Sequence, residues 1–514
     1  MIRLHPALLL GGLAALLGLV GVTVLAFRGL TGFDDAQLDF RLLSDPYTLQ
    51  ILRFSLWQAL ISALISIAIA WPLARILYRL KPVGTKRFQQ LCLLAFVMPT
   101  LVIITGVMVL LGPQGALRWL FSEEWKLFGL SGILIAHVYL NAPLAVRILL
   151  QRYQALPQGS ERLASQLKLS LYRRFMLLEW PHIRPVLLAL SLLIFILCFN
   201  SFAVVLALGG GPASTTFELA IYQALKYQFN LSEALTLAWM QFAIAGLLFA
   251  VSALFGRVNW LGSSRTHGEW QPEISLLHRL YGWTVYLFAW AALLAPILAL
   301  MSAVNPDKLA SMELLELGYS LLRSITLALS ATLLALLLAL LLLPLQVNPI
   351  LSWISTHHLV APAMVLSSGI YIWLLSSGAL RTWGLSWLVL INGLLVLPFL
   401  LSQLRPSAIN YQQQYNQLVL SLKLSLVTQI SVYLAYLYRP LVSAFALGLL
   451  LALGDVSVFA LFGRYDEPTL PWLIYRYAGS YRLEEASVAS TLLLLVSIGL
   501  VLLLERNRTN TQES

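Results

Sequence analysis

Asp455 is the residue in this chain most able to do chemistry, because of where it sits. It interrupts the apolar run LVSAFALGLLLALGDVSVFALF, Leu441 to Phe462, and an ionisable group inside such a run is costly and by default faces a partner or a polar path. At an offset of 255 residues its counterpart is Asn200, also polar, with Ser201 beside it and Ser457 beside Asp455. A carboxylate there favours a cation. The structural alternative is an Asp hydrogen-bonded to its own or a neighbouring helix. His137 and Asn392 form a second polar pair at the same offset, for which an interhelical hydrogen bond is the simpler role and a place on the substrate pathway, with the other four, the alternative. Gly209, Gly210 and Gly211 precede Pro212, a stretch that suits left-handed or tightly turned backbone. It reads as a plain turn, with a phosphate nest as the alternative. Downstream, Tyr222 of TTFELAIYQAL aligns with Tyr475 of PTLPWLIYRYA.

Other chemistry is missing from the pattern. No G-x-x-x-x-G-K-[ST] loop occurs, so nothing in the sequence cradles a nucleotide phosphate in that way. The seven His are scattered without zinc-type spacing, and Cys92 and Cys198 both lie in apolar runs. No nucleophile–base pair or metal constellation appears, and the chain reads as a non-enzyme.

The elements that hold these residues follow from composition. The chain is 59% hydrophobic and 11% charged with a mean hydropathy of +0.82, against about 25% charged in soluble domains. The net charge of +11 resides in short connections between apolar runs, as membrane topology requires. Windows of about twenty apolar residues predict twelve spans: 6–27, 53–74, 89–111, 131–150, 186–207, 236–256, 283–303, 322–345, 359–375, 385–402, 440–461 and 486–504. The first, too long for a usual signal-peptide core, is read as a retained span. Basic residues after span two (Arg75, Arg79, Lys81, Lys86, Arg87) and span ten (Arg405, Lys423, Arg439) put those loops and both termini in the cytoplasm.

The chain is also internally repeated. At the offset of 255, Pro143 matches Pro398, the leucines 163, 167 and 171 match Leu418, Leu422 and Leu426, and Arg184-Pro185 matches Arg439-Pro440. Pro99 and Gly106 match Pro362 and Gly369 at 263. Six spans separate equivalent points, so the expected fold is an all-α polytopic membrane protein of about twelve transmembrane helices. These form two parallel six-helix halves, 1–260 and 281–504, with a pathway between repeats.

Each half carries one basic segment between spans, 161–181 and 416–436, sharing the string LKLSL. Leu163, Leu167 and Leu171 recur at i, i+4 and i+8 and predict one apolar helical stripe ended by Pro181 and Pro185. Such a helix either docks into a partner or lies on lipid headgroups; its duplication favours a two-fold partner.

The first segment resembles the EAA loop of permease subunits of bacterial ATP-binding-cassette importers, E-A-A, three residues, G, nine residues, I-x-L-P. Ala164 falls on the second Ala, Leu178 on the Ile and Pro181 on the Pro, while Arg162 stands at the Glu position and Lys168 at the Gly position. In the second copy Gln417, Lys423 and Tyr436 stand at the Glu, Gly and Pro positions. The stretches 197–225 and 453–482 further resemble the fused permeases of thiamine and thiamine-pyrophosphate importers. Fused ferric-iron permeases share the architecture. The resemblance implies a bacterial inner-membrane location and an ATPase homodimer, binding ATP and Mg in place of this chain, docked on 161–181 and 416–436. A periplasmic thiamine-binding protein would dock on the outer segments near Gly209–Gly211, Tyr222 and Tyr475. An ion-coupled secondary transporter would share the span count and parallel halves.

Overall fold

The computed structural model describes residues 6–31, 38–254, 275–305, 313–355, 362–422 and 424–512. Among them every regular element is helical, as expected where lipid offers no partner for open backbone. The helices are α1 (Pro6–Leu30), α2 (Pro46–Leu80), α3 (Thr85–Val97), α4 (Thr100–Leu111), α5 (Leu130–Gln154), α6 (Gln158–Gln166) and α7 (Leu171–Arg174). α8 (Trp180–Phe199), α9 (Ala203–Leu208), α10 (Phe217–Gln223), α11 (Leu231–Leu254), α12 (Leu276–Ser302) and α13 (Leu314–Leu342) follow. The last are α14 (Pro349–Ile354), α15 (Ala363–Ser376), α16 (Leu380–Ser421), α17 (Leu426–Leu453), α18 (Ser457–Phe462), α19 (Leu470–Gly479) and α20 (Leu483–Gln512).

Ten helices among the described residues are long and apolar enough to cross a membrane, or eleven if a bent pair counts as one span. The bent pair is the expected third span. α3 and α4 meet at 102° where Met98 adopts extended backbone before Pro99, as a residue preceding proline prefers. The expected ninth span is α15, only 14 residues long and short of the ~20 a crossing needs. It too starts after a proline, Pro362, the repeat partner of Pro99.

Packing divides the described chain into two compact units that cut across the order of the repeat. Unit 1 gathers Met1–Leu49, Phe217–Ala245 and Asp307–Ser514; unit 2 gathers Gln50–Thr216 and Gly246–Pro306. In unit 1, Leu16 and Leu19 of α1 join a core built on Ala328, Ala331, Ala335 and Ala339 of α13, with Leu397 and Leu400 of α16 and Leu437 and Ala444 of α17. The alanine stripe allows backbones to approach closely, the usual basis of helix association in lipid.

Glycines mark the tightest crossings. A Cβ on Gly369 of α15 would sit 2.2 Å from the carbonyl oxygen of Ala26 on α1, and one on Gly29 would sit 1.9 Å from that of Gly369. In unit 2 the repeat partner Gly106, on α4, meets the Pro296 carbonyl of α12 at 2.5 Å. Equivalent glycines therefore each seat an apolar helix, α1 in one unit and α12 in the other.

Candidate functional site

The apolar run around Asp455 is not one helix. α17 ends at Leu453, and Asp455 lies in the break before α18. There its carboxylate accepts the Val458 and Phe459 backbone N–H groups, both at 3.4 Å. This places Asp455 outside the helical span expected for it and gives it a concrete structural task, satisfying N–H groups that a helix start leaves orphaned. Ser457 opens α18. In unit 2 the repeat partner Asn200 caps the C-terminus of α8, its N–H donating to Ile196, and Ser201 follows it before α9. All four polar residues are half-buried. Asp455 and Ser457 belong to unit 1, Asn200 and Ser201 to unit 2.

His137 lies in a buried network of unit 2. Its Nδ1 is 3.1 Å from the Ser62 hydroxyl, Asn141 Nδ2 donates to its carbonyl at 2.8 Å, and Gln58 Nε2 donates to the Cys198 carbonyl at 2.9 Å. These bonds tie α2, α5 and α8 together, which is the packing role. Asn392 is buried on α16 in unit 1.

The glycine turn is as tight as its composition suggests. Gly210 and Gly211 have φ of +71° and +144°, and a Cβ on Gly210 would lie 2.9 Å from Phe128 Cβ. Gly209 is an ordinary helix end, its N–H donating to Val205 at 2.8 Å.

Beyond that turn lies a set of residues that composition alone did not single out. Glu218 of α10 is fully buried. Gln241 Nε2 donates to its Oε1 at 3.1 Å, and its Oε2 has no hydrogen-bond partner. α10 is not one of the spanning helices. Burial pushes this carboxyl up to about 8, and the charge of Asp455 adds to that, while Gln241 and the Met364 N–H act against it. Tyr222 packs edge-on against Tyr227 at 5.6 Å, and Tyr475 packs on Trp472 at 5.2 Å. Lys226, in the π-helical turn after α10, holds its ammonium 4.9 Å from the centre of the Tyr371 ring on α15. The missed signal was spacing: Glu218, Tyr222 and Lys226 recur at i, i+4 and i+8.

The two basic segments are not single helices. In the first, α6 stops at Gln166, and Lys168 takes a left-handed φ of +50° before α7 starts at Leu171. Leu163 therefore lies in α6 with Leu167 at its end, while Leu171 begins a separate helix. Lys168 stands where the EAA pattern has Gly, and its φ supplies the reason for that Gly. In the second segment α16 ends at Ser421 and α17 opens at Leu426, the repeat partner of Leu171; Lys423 lies outside the described residues. Leu163 and Leu167 are 55% and 63% exposed, and their partners Leu418 and Leu422 are 54% and 59% exposed, so both segments present the same bare pair of leucines. Ala164 is buried beneath. Pro181 and Pro185 do not end the segment. They lie inside one helical run, Tyr172–Phe199, in which the π-helical turn Phe175–Glu179 directly precedes Pro181.

What holds the segments differs. The acid expected at position 162 is displaced by one. Glu161 pairs with Arg174 at 3.2 Å, both nearly buried, and Glu179 pairs with Arg75 at 2.7 Å and with Arg79. At the corresponding end of unit 1, Tyr411, Tyr415, Tyr433 and Tyr436 form a cluster with ring centres 4.9 to 5.6 Å apart.

Apolar helices long enough to span, broken at the equivalent points Asn200 and Asp455 and joined by twin leucine-bearing segments, define an all-α polytopic membrane protein. No family model matches the chain. A protein of Escherichia coli K12 described as thiamine transport system permease protein ThiP is 34% identical over 524 residues, covering 98% of this chain and 97% of that protein. Proteins of the same description from Haemophilus influenzae and Brucella abortus are 36% and 31% identical over 88% and 98% of this chain, and 87% and 96% of their own. The chain belongs to this family of thiamine transport system permease proteins. A putative ferric transport system permease protein of Haemophilus influenzae is 27% identical over 44% of this chain.

Proposed function

We propose that the chain is the translocation subunit of an ATP-driven importer that moves thiamine or its phosphates from periplasm to cytoplasm. The observation that carries the reading is similarity along nearly the whole chain to thiamine transport permeases. The ferric alternative covers less than half of it. The chain is a bacterial inner-membrane protein with both termini in the cytoplasm, and its twelve segments form two fused halves. Two copies of an ATPase grip the segments at 161–181 and 416–436 through the exposed leucines. ATP and Mg are bound there, by the ATPase. A thiamine-binding protein delivers cargo to the outer segments around Gly209–Gly211, Tyr222 and Tyr475. Closure of the ATPase pair draws the two segments together, and the halves rock between outward- and inward-facing states. Asn200, Ser201, Asp455 and Ser457, at the helix breaks, line the path, because a broken helix frees polar backbone only where it borders a cavity or protein.

The test is reconstitution in liposomes with the ATPase and binding protein, following labelled thiamine with and without ATP. ATP-dependent uptake is expected. Uptake without the ATPase would indicate an ion-coupled transporter, and ATP-driven iron uptake would reassign the cargo. Asp at both Leu167 and Leu422 should abolish ATPase co-purification while membrane insertion persists. Unchanged co-purification would return the segments to lying on headgroups.

A further inference from the structure

Glu218, Tyr222 and Lys226 line one face of α10 and the turn after it. Within unit 1 that face packs against α15, where Tyr371 lies under Lys226. Ser367, between Met364 and Tyr371 on α15, is fully buried and its hydroxyl has no hydrogen-bond partner. The seam thus holds a carboxyl at one end and an ammonium at the other. They are eight residues apart, about 12 Å along a helix, too far to neutralise each other. Each is short of a partner. Glu218 Oε2 is buried without a hydrogen bond, and the neighbouring group whose charge acts on it, Asp455, is another acid and offers no counter-charge. Among the described residues no carboxylate pairs with Lys226.

A buried carboxyl oxygen left without a hydrogen bond is costly in a resting seam, and beside it Lys226 is only half-buried; a ligand carrying a cation and a phosphate engages both at once. We propose that Glu218 and Lys226 are a specificity pair: Glu218 takes the cationic ring system of the cargo, and Lys226 takes its phosphate tail. The inference rests on the thiamine reading above and deepens it to the phosphorylated form. Burial keeps the Glu218 carboxyl protonated in the closed seam, and an approaching cation favours the carboxylate. Lys226 stands on a ring face, which holds an ammonium by cation–π attraction without spending its hydrogen-bond donors. A phosphate is then free to accept all of them. Access requires α10 and α15 to part, and no ion pair among the described residues crosses between them.

The experiment compares uptake of labelled thiamine and thiamine pyrophosphate by the full chain with its ATPase and binding protein. The proteins are wild type, Lys226→Gln, Lys226→Arg and Glu218→Gln. Lys226→Gln is expected to lower pyrophosphate uptake about tenfold while thiamine uptake stays within about twofold, and Lys226→Arg restores the pyrophosphate. Glu218→Gln is expected to lower both. The ratio between the two cargoes is the deciding readout, since a folding defect lowers both together. Equal loss of both in Lys226→Gln, or no loss in either, would overturn the pair. So would full uptake by Glu218→Gln. If wild type carries neither cargo, the thiamine reading itself falls, and the pair falls with it.

Discussion

At the scale of single residues, the structure turns odd identities into local physics. Lys168 pays for a left-handed φ of +50° that a glycine adopts freely. Lys168→Gly is therefore expected to stabilise the protein by about 1 kcal/mol, read as a higher unfolding midpoint in detergent; a lower midpoint would mean the lysine side chain matters more than its backbone. Glu161 was hidden by a one-residue displacement from the EAA position, yet it forms a nearly buried pair with Arg174. Removing one member leaves a charge without its counter-charge, at a cost of about 3–5 kcal/mol. Glu161→Gln should accordingly loosen residues 158–174, seen as faster amide exchange there than across α5. Exchange identical to wild type would show that the pair is not what fixes this segment.

At the scale of elements, helix packing is set by where backbones can touch. The Gly369 crossing leaves no room for a side chain, because the obstruction is the Ala26 carbonyl and not a flexible group. Gly369→Val and Gly106→Val are expected to cost several-fold in folded yield and lower the melting midpoint. Gly318→Ala, with nothing within 4 Å of the added Cβ, should be neutral or mildly stabilising, since alanine favours helix by about 1 kcal/mol over glycine. Similar effects at all three sites would mean the crossings are looser than their geometry. Elements also differ between the repeats. The first docking segment is held by ion pairs among Glu161, Arg174, Glu179, Arg75 and Arg79, and unit 1 has clustered tyrosines at the matching end.

For the whole molecule, the repeat and the packing are different divisions of the same chain. Residues 281–504 lack α1, whose Leu16 and Leu19 complete the core of unit 1, and they include most of α12, which belongs to unit 2. Expressed alone, 281–514 should aggregate or resist only weakly to protease. Co-expression with 1–280 should restore a protease-resistant, monodisperse species in detergent. A stable 281–514 fragment would mean that α1 is dispensable to that core.

What lipid and backbone chemistry dictate locally is legible in the amino-acid string. Long apolar runs had to be helices, since each must satisfy its own N–H and C=O groups. The register of 255 residues pairs Asn200 with Asp455 and Leu167 with Leu422 in the amino-acid string itself. The helix breaks were less legible, because Gly454 and Asp455 sit in hydropathy as strong as the helix before them, and hydropathy does not register a capping carboxylate. Tertiary structure alone decided the rest. An apolar helix in lipid has no solvent face to fix its orientation, so its neighbour is chosen by close fit. That fit, Gly29 against Gly369 and Gly106 against Pro296, took α1 and α12 into the units where they lie. It also brought Lys226 onto Tyr371, 145 residues on in the chain, and so turned the i, i+4, i+8 spacing of Glu218, Tyr222 and Lys226 into a seam against α15.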